Sequence, residues 1–270
     1  MYSQRITRSN PSLYVFLIDQ SGSMSQGTIS GGTLADEVCK LVNKYIDEMV
    51  VKSTTGETVK DHFFISVIGY GSASGVGYSF EGNLANKDII PLSEIADNPL
   101  RLISDASGKY PIWFEPKSEA QTPMTEAFGL AKDTVEKFIT HFPDSFPPIV
   151  INITDGESTD GSPVSIAKEI MNLDTNDGNV LIFNAHITGN NEDAIEYPSN
   201  LQQLSNDTNA RMLFEMTSEI PEKMISMAKG IEIYLYEGQK GYIYNGSIHN
   251  LHKFLDIGSV VTNSGNKDIQ

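Results

Sequence analysis

Five consecutive apolar residues, Tyr14-Val15-Phe16-Leu17-Ile18, run straight into Asp19-Gln20-Ser21-Gly22-Ser23-Met24. A stretch that is apolar at every position, and not only at every second one, has to be covered on both sides, so it reads as an interior strand of a parallel sheet. Its abrupt change to carboxylate and hydroxyl places a polar loop at the strand's carboxyl end. Open α/β sheets bind their ligands there, where the strand order reverses. The same grammar returns once, in Ile149-Val150-Ile151-Asn152-Ile153-Thr154 followed by Asp155-Gly156-Glu157-Ser158.

Helical patterns alternate with these strands. Gly/Ser-rich residues Ser25 to Gly32 break structure, Thr33 is a capping residue, and Leu34, Val38, Leu41, Val42, Tyr45, Ile46, Met49 and Val50 recur at helical spacing over residues 33–52. Cys39 lies on that apolar face and reads as a buried small hydrophobe. A second strand is expected from His62 to Ile68, irregular chain with one short strand from Ala73 to Ser93, and a short helix or strand at Leu100 to Ile103. Trp113, held between Pro111 and Pro116, is read as packing onto the core ahead of a partner-facing rim. Thr122-Pro123 marks a helix start, and that helix runs to about His141. Beyond Asp155 the pattern predicts a helix from Pro163 to Leu173, a strand from Val180 to Ile187, a short helix from Ser199 to Leu204, a last core strand at Met212 to Met216 and a last helix from Glu219 to Lys229. Ile231 to Tyr236 and Tyr242 to Tyr244 suggest a hairpin, and Ile248 to Ile257 a small helix. The expected organisation is an extension over residues 1–12, one α/β domain over 13–230, a hairpin/helix extension over 231–260 packed on it, and a disordered tail over 261–270.

Charge narrows the partners. A formal net charge of −16 and a pI near 4.6 exclude a sequence-independent grip on nucleic acid or an anionic membrane. No apolar run approaches the roughly 20 residues of a membrane span, and residues 1–12 carry no signal-peptide pattern. The single cysteine forbids an internal disulfide, which leads to the expectation of a cytoplasmic protein.

If the sheet is doubly wound with the first strand beside the Ile149 strand, then Asp19 and Asp155 end neighbouring strands and Thr122 caps a nearby helix. Asp19, Ser21, Ser23, Thr122 and Asp155 then converge: two carboxylates and three hydroxyls, all hard oxygen donors, matched to one octahedral magnesium or manganese ion. A metal-dependent hydrolase or phosphoryl-transfer enzyme with Asp19 as nucleophile is the catalytic alternative. It would need a general acid or base and phosphate-gripping cations in the same loops, and Ser21 to Gly32 contains no lysine or arginine. Of the five histidines only His186, near a strand end, can approach that face. The chain is therefore expected not to be an enzyme.

These residues resemble the signature of von Willebrand factor A domains. Asp19-Gln-Ser21-Gly-Ser23 is similar to their Asp-x-Ser-x-Ser loop, Thr122-Pro-Met to their second-loop threonine and Thr154-Asp155-Gly156 to their third-loop aspartate, together a metal-ion-dependent adhesion site. Ser-Gly-Ser-Met24 and Thr-Pro-Met124 point within that family to its intracellular bacterial branch. The resemblance implies a Rossmann-like, mostly parallel sheet with helices on both faces. It also implies a divalent cation, Mg2+ first with Mn2+ or Ca2+ as alternatives, completed by an aspartate or glutamate of a partner protein. The function implied is a non-enzymatic, metal-dependent protein-binding module in regulation, signalling or stress response. Lys240-Gly-Tyr-Ile-Tyr-Asn245 and Phe254-Leu-Asp-Ile257 are more loosely similar to the endings of stand-alone members associated with tellurite resistance, which implies a protein kinase or phosphatase as partner. A third expectation is a switch in which the last helix shifts on binding.

Overall fold

The computed structural model describes residues 1–29, 31–105, 108–190, 193–204 and 206–260. The tail expected over 261–270 lies outside them. Strand β1 (Ser12–Asp19) is buried along its whole length, as its unbroken apolar run requires. Its side chains alternate between two cores: Tyr14, Phe16 and Ile18 enter one, Leu13, Val15 and Leu17 the other. Helix α1 (Leu34–Lys52) begins at a reciprocal cap, in which Thr33 Oγ1 accepts the Asp36 N–H at 3.1 Å and the Asp36 carboxylate accepts the Thr33 N–H at 3.0 Å.

A small hairpin, β2 (Thr54–Thr55) and β3 (Thr58–Val59), leads to β4 (Phe63–Ser72), which lies parallel to β1. Strands β5 (Gly75–Tyr78) and β6 (Ile90–Pro91) both pair antiparallel with β4. Helix α2 (Leu92–Asp97) and the two-stranded ribbon of β7 (Arg101–Asp105) and β8 (Gly108–Ile112) complete this side. Trp113 is buried in the core: its indole N–H donates to the Ile95 carbonyl at 2.7 Å and its backbone N–H to Asn43 Oδ1 at 2.7 Å, so it packs and forms no rim.

Helix α3 (Met124–His141) crosses to β9 (Ile149–Thr154), parallel to β1 on its other side. Helix α4 (Val164–Asn172) and the hairpin β10 (Asp174–Thr175) and β11 (Gly178–Asn179) lead to β12 (Leu181–Ile187), parallel to β9. After β13 (Ile195–Glu196) come α5 (Thr208–Glu215), α6 (Glu222–Ala228), β14 (Tyr242–Gly246) and α7 (Ile248–Val260). One core holds residues of α1, α2, α6 and α7, the other those of α3, α4 and α5.

The main sheet runs β13-β14-β12-β9-β1-β4-β5, with β6 beside β4. It is a mixed sheet: β14, β12, β9, β1 and β4 are parallel to their neighbours in this series, while β13, β5 and β6 are antiparallel to theirs. The expectation of a doubly wound, mostly parallel, Rossmann-like sheet is corrected accordingly. The physical reason shows at β4, where only Ala73 and Ser74 separate its end from β5. So short a link can only reverse the chain, because a parallel return needs a crossover of about a dozen residues.

Two local expectations also change. Met212 to Met216 is not a strand but lies in and just beyond α5, where the Asp207 carboxylate caps the Ala210 N–H at 2.9 Å and Ala210, Leu213 and Phe214 bury at helical spacing. A five-residue run with four apolar residues, as here, does not distinguish strand from helix. The hairpin expected from Ile231 to Tyr244 does not form. Glu232 takes a left-handed conformation at φ 62°, and Tyr242–Gly246 pairs instead with β12 and β13.

Candidate functional site

The site is assembled where β1 and β9 end. Asp19 is 1% exposed and both its oxygens are engaged: Oδ1 accepts the Ser21 N–H at 2.8 Å and Oδ2 accepts the Thr154 hydroxyl at 2.6 Å. The Ser21 and Ser23 hydroxyls stand 3.0 Å apart, and Ser23 Oγ donates to Asp155 Oδ1 at 2.7 Å. Thr122 is 5% exposed, and its hydroxyl has no hydrogen-bond partner among the described residues. A Cβ placed on Gly156 would stand 3.7 Å from Ser23 Oγ and 4.0 Å from Thr122 Oγ1, which puts the Thr122 hydroxyl in the same neighbourhood. The structure thus brings Asp19, Ser21, Ser23 and Asp155 into one hydrogen-bonded chain, with Thr122 beside it.

Close packing between β4 and the following loops closes the site. Gly71 sits at φ +94° with room for no side chain: a Cβ there would lie 2.5 Å from the Gln121 carbonyl and 2.7 Å from the Ser21 nitrogen. That absence lets residues 119–121 lie over the end of β1, with Ala120 N–H donating to Gly71 O at 2.8 Å, Gly22 N–H to Ala120 O at 2.8 Å and Glu119 N–H to Gln20 O at 2.8 Å.

Thr122 does not cap α3. Asp160 does, its carboxylate accepting the N–H groups of Thr125 at 2.9 Å and Glu126 at 2.8 Å and the Ser158 hydroxyl at 2.8 Å. Burial alone would raise its pKa, and these donors outweigh it and bring it below the usual range. Thr154, Thr159 and Asp160 build the site around the five expected oxygen donors. Thr154 is visible in the sequence as the last residue of an apolar strand and as the start of the Thr154-Asp155-Gly156 motif, whereas Thr159, whose Oγ1 accepts the Thr122 N–H at 3.0 Å, carries no sequence signal at all. His186 stacks on Tyr244 with ring centroids 4.7 Å apart, and its Nδ1 accepts the Asn245 N–H at 3.2 Å.

Burial pushes the Asp19 carboxyl up to about 6, opposed by the Ser21 and Thr154 hydrogen bonds and assisted by the charge of Asp155. Asp155 is raised as well, chiefly by burial, with Ser23 opposing. Neither carboxylate has a lysine, arginine or histidine within ion-pair distance among the described residues. Two carboxylates without a counter-charge and three hydroxyls form a donor set that fits a hard divalent cation. The set has only two acidic members, and the described residues contain no group of three or more His, Cys, Asp or Glu suited to a metal.

No family model matches the chain, and no curated protein sequence does. In fold it is similar to the pilus adhesin SpaC from Lactobacillus rhamnosus GG, with a TM-score of 0.52 at 13% identity over 94% of this chain and 31% of that one. The chain therefore spans less than a third of the SpaC length. The pilus adhesin RrgA from Streptococcus pneumoniae gives a TM-score of 0.32 at 14% identity over 58% of this chain and 22% of that one, too low to bear on the fold.

These findings correct the family expectation. The chain is not assigned to the von Willebrand factor A family, to its intracellular bacterial branch or to the tellurite-resistance-associated proteins, since no family model matches it and the solved structure whose fold it resembles is described as a pilus adhesin. The expectation of a metal-dependent regulatory or stress-response module is corrected with that family. The cytoplasmic expectation is corrected on the same finding, having rested on that branch and on one cysteine.

Proposed function

We propose that this chain is a non-enzymatic domain with an adhesive or structural role at a cell surface, and that its working face is the loop cluster at the ends of β1 and β9. The observation that carries the reading is the convergence there of Asp19, Ser21, Ser23, Thr122 and Asp155 from three separate parts of the chain, sealed beneath Asp19 and exposed at Ser23. The fold shared with a pilus adhesin supports the adhesive role. In this reading the five residues hold a divalent cation, Mg2+ first and Mn2+ or Ca2+ as alternatives. When bound, the ion supplies the positive charge that lets a chain of net charge −16 take an aspartate or glutamate of another protein. Asp19 is the fixed anchor, and Ser23 and Asp155 form the open side. Hydrolytic or phosphoryl-transfer chemistry lacks support, because His186 is turned to Tyr244 and Asn245 and no basic group pairs with either carboxylate among the described residues.

The test combines calorimetric titration of Mn2+ and Mg2+ into chelator-treated protein with attachment of protein-coated beads to carboxylate-rich protein surfaces. Saturable binding and cation-dependent attachment in wild type, both lost in Asp19→Ala and Thr122→Ala, are the expected results. Attachment that survives chelator and both substitutions would move the adhesive face elsewhere on the molecule. A flat titration in wild type would remove the cation.

A further inference from the structure

Asn209, the second residue of α5, is 6% exposed and its side chain does more than fill space. Its Nδ2 donates to the Gly156 carbonyl at 3.3 Å, while its Oδ1 has no donor among the described residues. Burying a carbonyl oxygen without a donor costs free energy. An apolar side chain would avoid that cost and would continue the face formed by Ala210, Leu213 and Phe214. What the carboxamide adds is its grip on Gly156. That residue follows Asp155 directly, a Cβ added to it would stand 3.7 Å from Ser23 Oγ and 4.0 Å from Thr122 Oγ1, and its own N–H donates to Thr154 Oγ1 at 3.1 Å.

The helix that carries Asn209 is held at both ends. At its start the Asp207 carboxylate accepts the Ala210 N–H at 2.9 Å and the Tyr244 hydroxyl at 2.8 Å, and the Tyr242 hydroxyl donates to the Ala210 carbonyl at 3.0 Å. At its end Asn184 Nδ2 donates to Thr217 Oγ1 at 2.9 Å and to the Met216 carbonyl at 3.3 Å. Asn184 is tied across the sheet: Asn152 Nδ2 donates to its Oδ1 at 2.9 Å, and the Tyr70 hydroxyl donates to Asn152 Oδ1 at 2.7 Å. The helix cannot turn or slide without breaking these bonds.

We propose that Asn209 is a positioning residue: α5 is a fixed mount that brings the Asn209 carboxamide to Gly156 and so sets where Asp155 and Gly156 stand against Ser23 and Thr122. The inference rests on the loop cluster being the working site, as proposed above, but it makes a claim about loop geometry that can be read without a ligand. The experiment uses Asn209→Ala, Asn209→Leu, which keeps the volume, and Thr134→Ala as a control. Thr134 is buried on α3, where it bonds the Tyr78 hydroxyl at 3.1 Å and the Leu130 carbonyl at 2.8 Å, so its loss is structural only.

Amide hydrogen exchange over residues 155–158 in cation-free protein is the first readout, and Mn2+ affinity the second. Both Asn209 variants should speed exchange at Gly156 severalfold and weaken Mn2+ about tenfold, the scale seen when a partner that orients a metal ligand is removed. Thr134→Ala should lower thermal stability and change neither. Wild-type exchange at Gly156 in both Asn209 variants overturns the proposal. If wild type itself takes up no Mn2+, the cation reading fails and exchange alone decides: faster exchange in the Asn209 variants upholds the positioning role, and unchanged exchange removes it.

Discussion

Asp19 and Asp155 stand at the ends of adjacent parallel strands, each after an apolar run and before small polar residues, and the structure treats them differently. Asp19 is 1% exposed with both oxygens satisfied from its own strand end and from Thr154, whereas Asp155 is half-buried and bonds the exposed Ser23. The difference comes from what lies over each strand. Residues 119–121 close the end of β1, held against Gly71 and Gln20, while the loop after β9 remains partly open. One carboxylate is therefore a fixed charge set in the floor of the site and the other belongs to its rim. A strand-end aspartate acquires its role from the chain that covers it.

The strongest way to break this contrast is pH. Asp19 has a folded pKa of about 6 against 3.8 for the ordinary group, so the folded state keeps the proton longer than the unfolded one. Stability from this group is full below about pH 4, falls as pH rises through about 6 and is level above it. In cation-free protein, wild type should lose about 3 kcal/mol relative to Asp19→Asn between pH 4 and pH 7, read by chemical denaturation at each pH. A flat difference would mean that Asp19 is not sealed. Asp155→Asn, scanned the same way, should change in the same direction by less, because burial raises Asp155 too but leaves it half-exposed.

Next in size is Gly71→Ala, expected to cost about 2–3 kcal/mol, since the residue sits at φ +94° and its Cβ would collide with the Gln121 and Ser21 backbones. Gly156→Ala is its counterpart on the open side. With no neighbour within 3.7 Å of a new Cβ it should cost less than about 1 kcal/mol by the same denaturation measurement. Equal costs would show that both ends of the site are equally closed. Thr154→Val tests the link between the two aspartates by removing the hydroxyl that donates to Asp19 and accepts from Gly156. A loss of about 1–2 kcal/mol is expected, with the Asp19 midpoint moving further up because an opposing hydrogen bond is gone.

Much of this region was legible in the sequence. The runs Tyr14 to Ile18 and Ile149 to Thr154 are buried strands, and the amphipathic pattern from Leu34 is α1, starting at its Thr33 cap. Capping and hydrophobic periodicity are local, so a short window contains the information. Thr122 shows where such reasoning stops. Thr-Pro correctly announced a helix start, but the cap is Asp160, 38 positions from Thr122 along the chain and brought in by the loop after β9. Glycines placed the end of the second strand at Ile68, whereas β4 runs on to Ser72 and turns into β5, and Gly69 and Gly71 are what allow neighbouring backbone and side chains to approach.

By itself the sequence determined the strand–aspartate junctions, the long helices between them and the residue types of the site, because each follows from spacing within a dozen or so neighbours. Only the tertiary structure decided that the sheet is mixed, that Met212 to Glu215 is helical, that Tyr242–Gly246 inserts between β12 and β13, and that Asp19 is sealed while Asp155 is not. Those outcomes depend on which distant segments cover which backbone. Burial and strand pairing are set by contacts between residues far apart in the chain, and no local pattern carries that information.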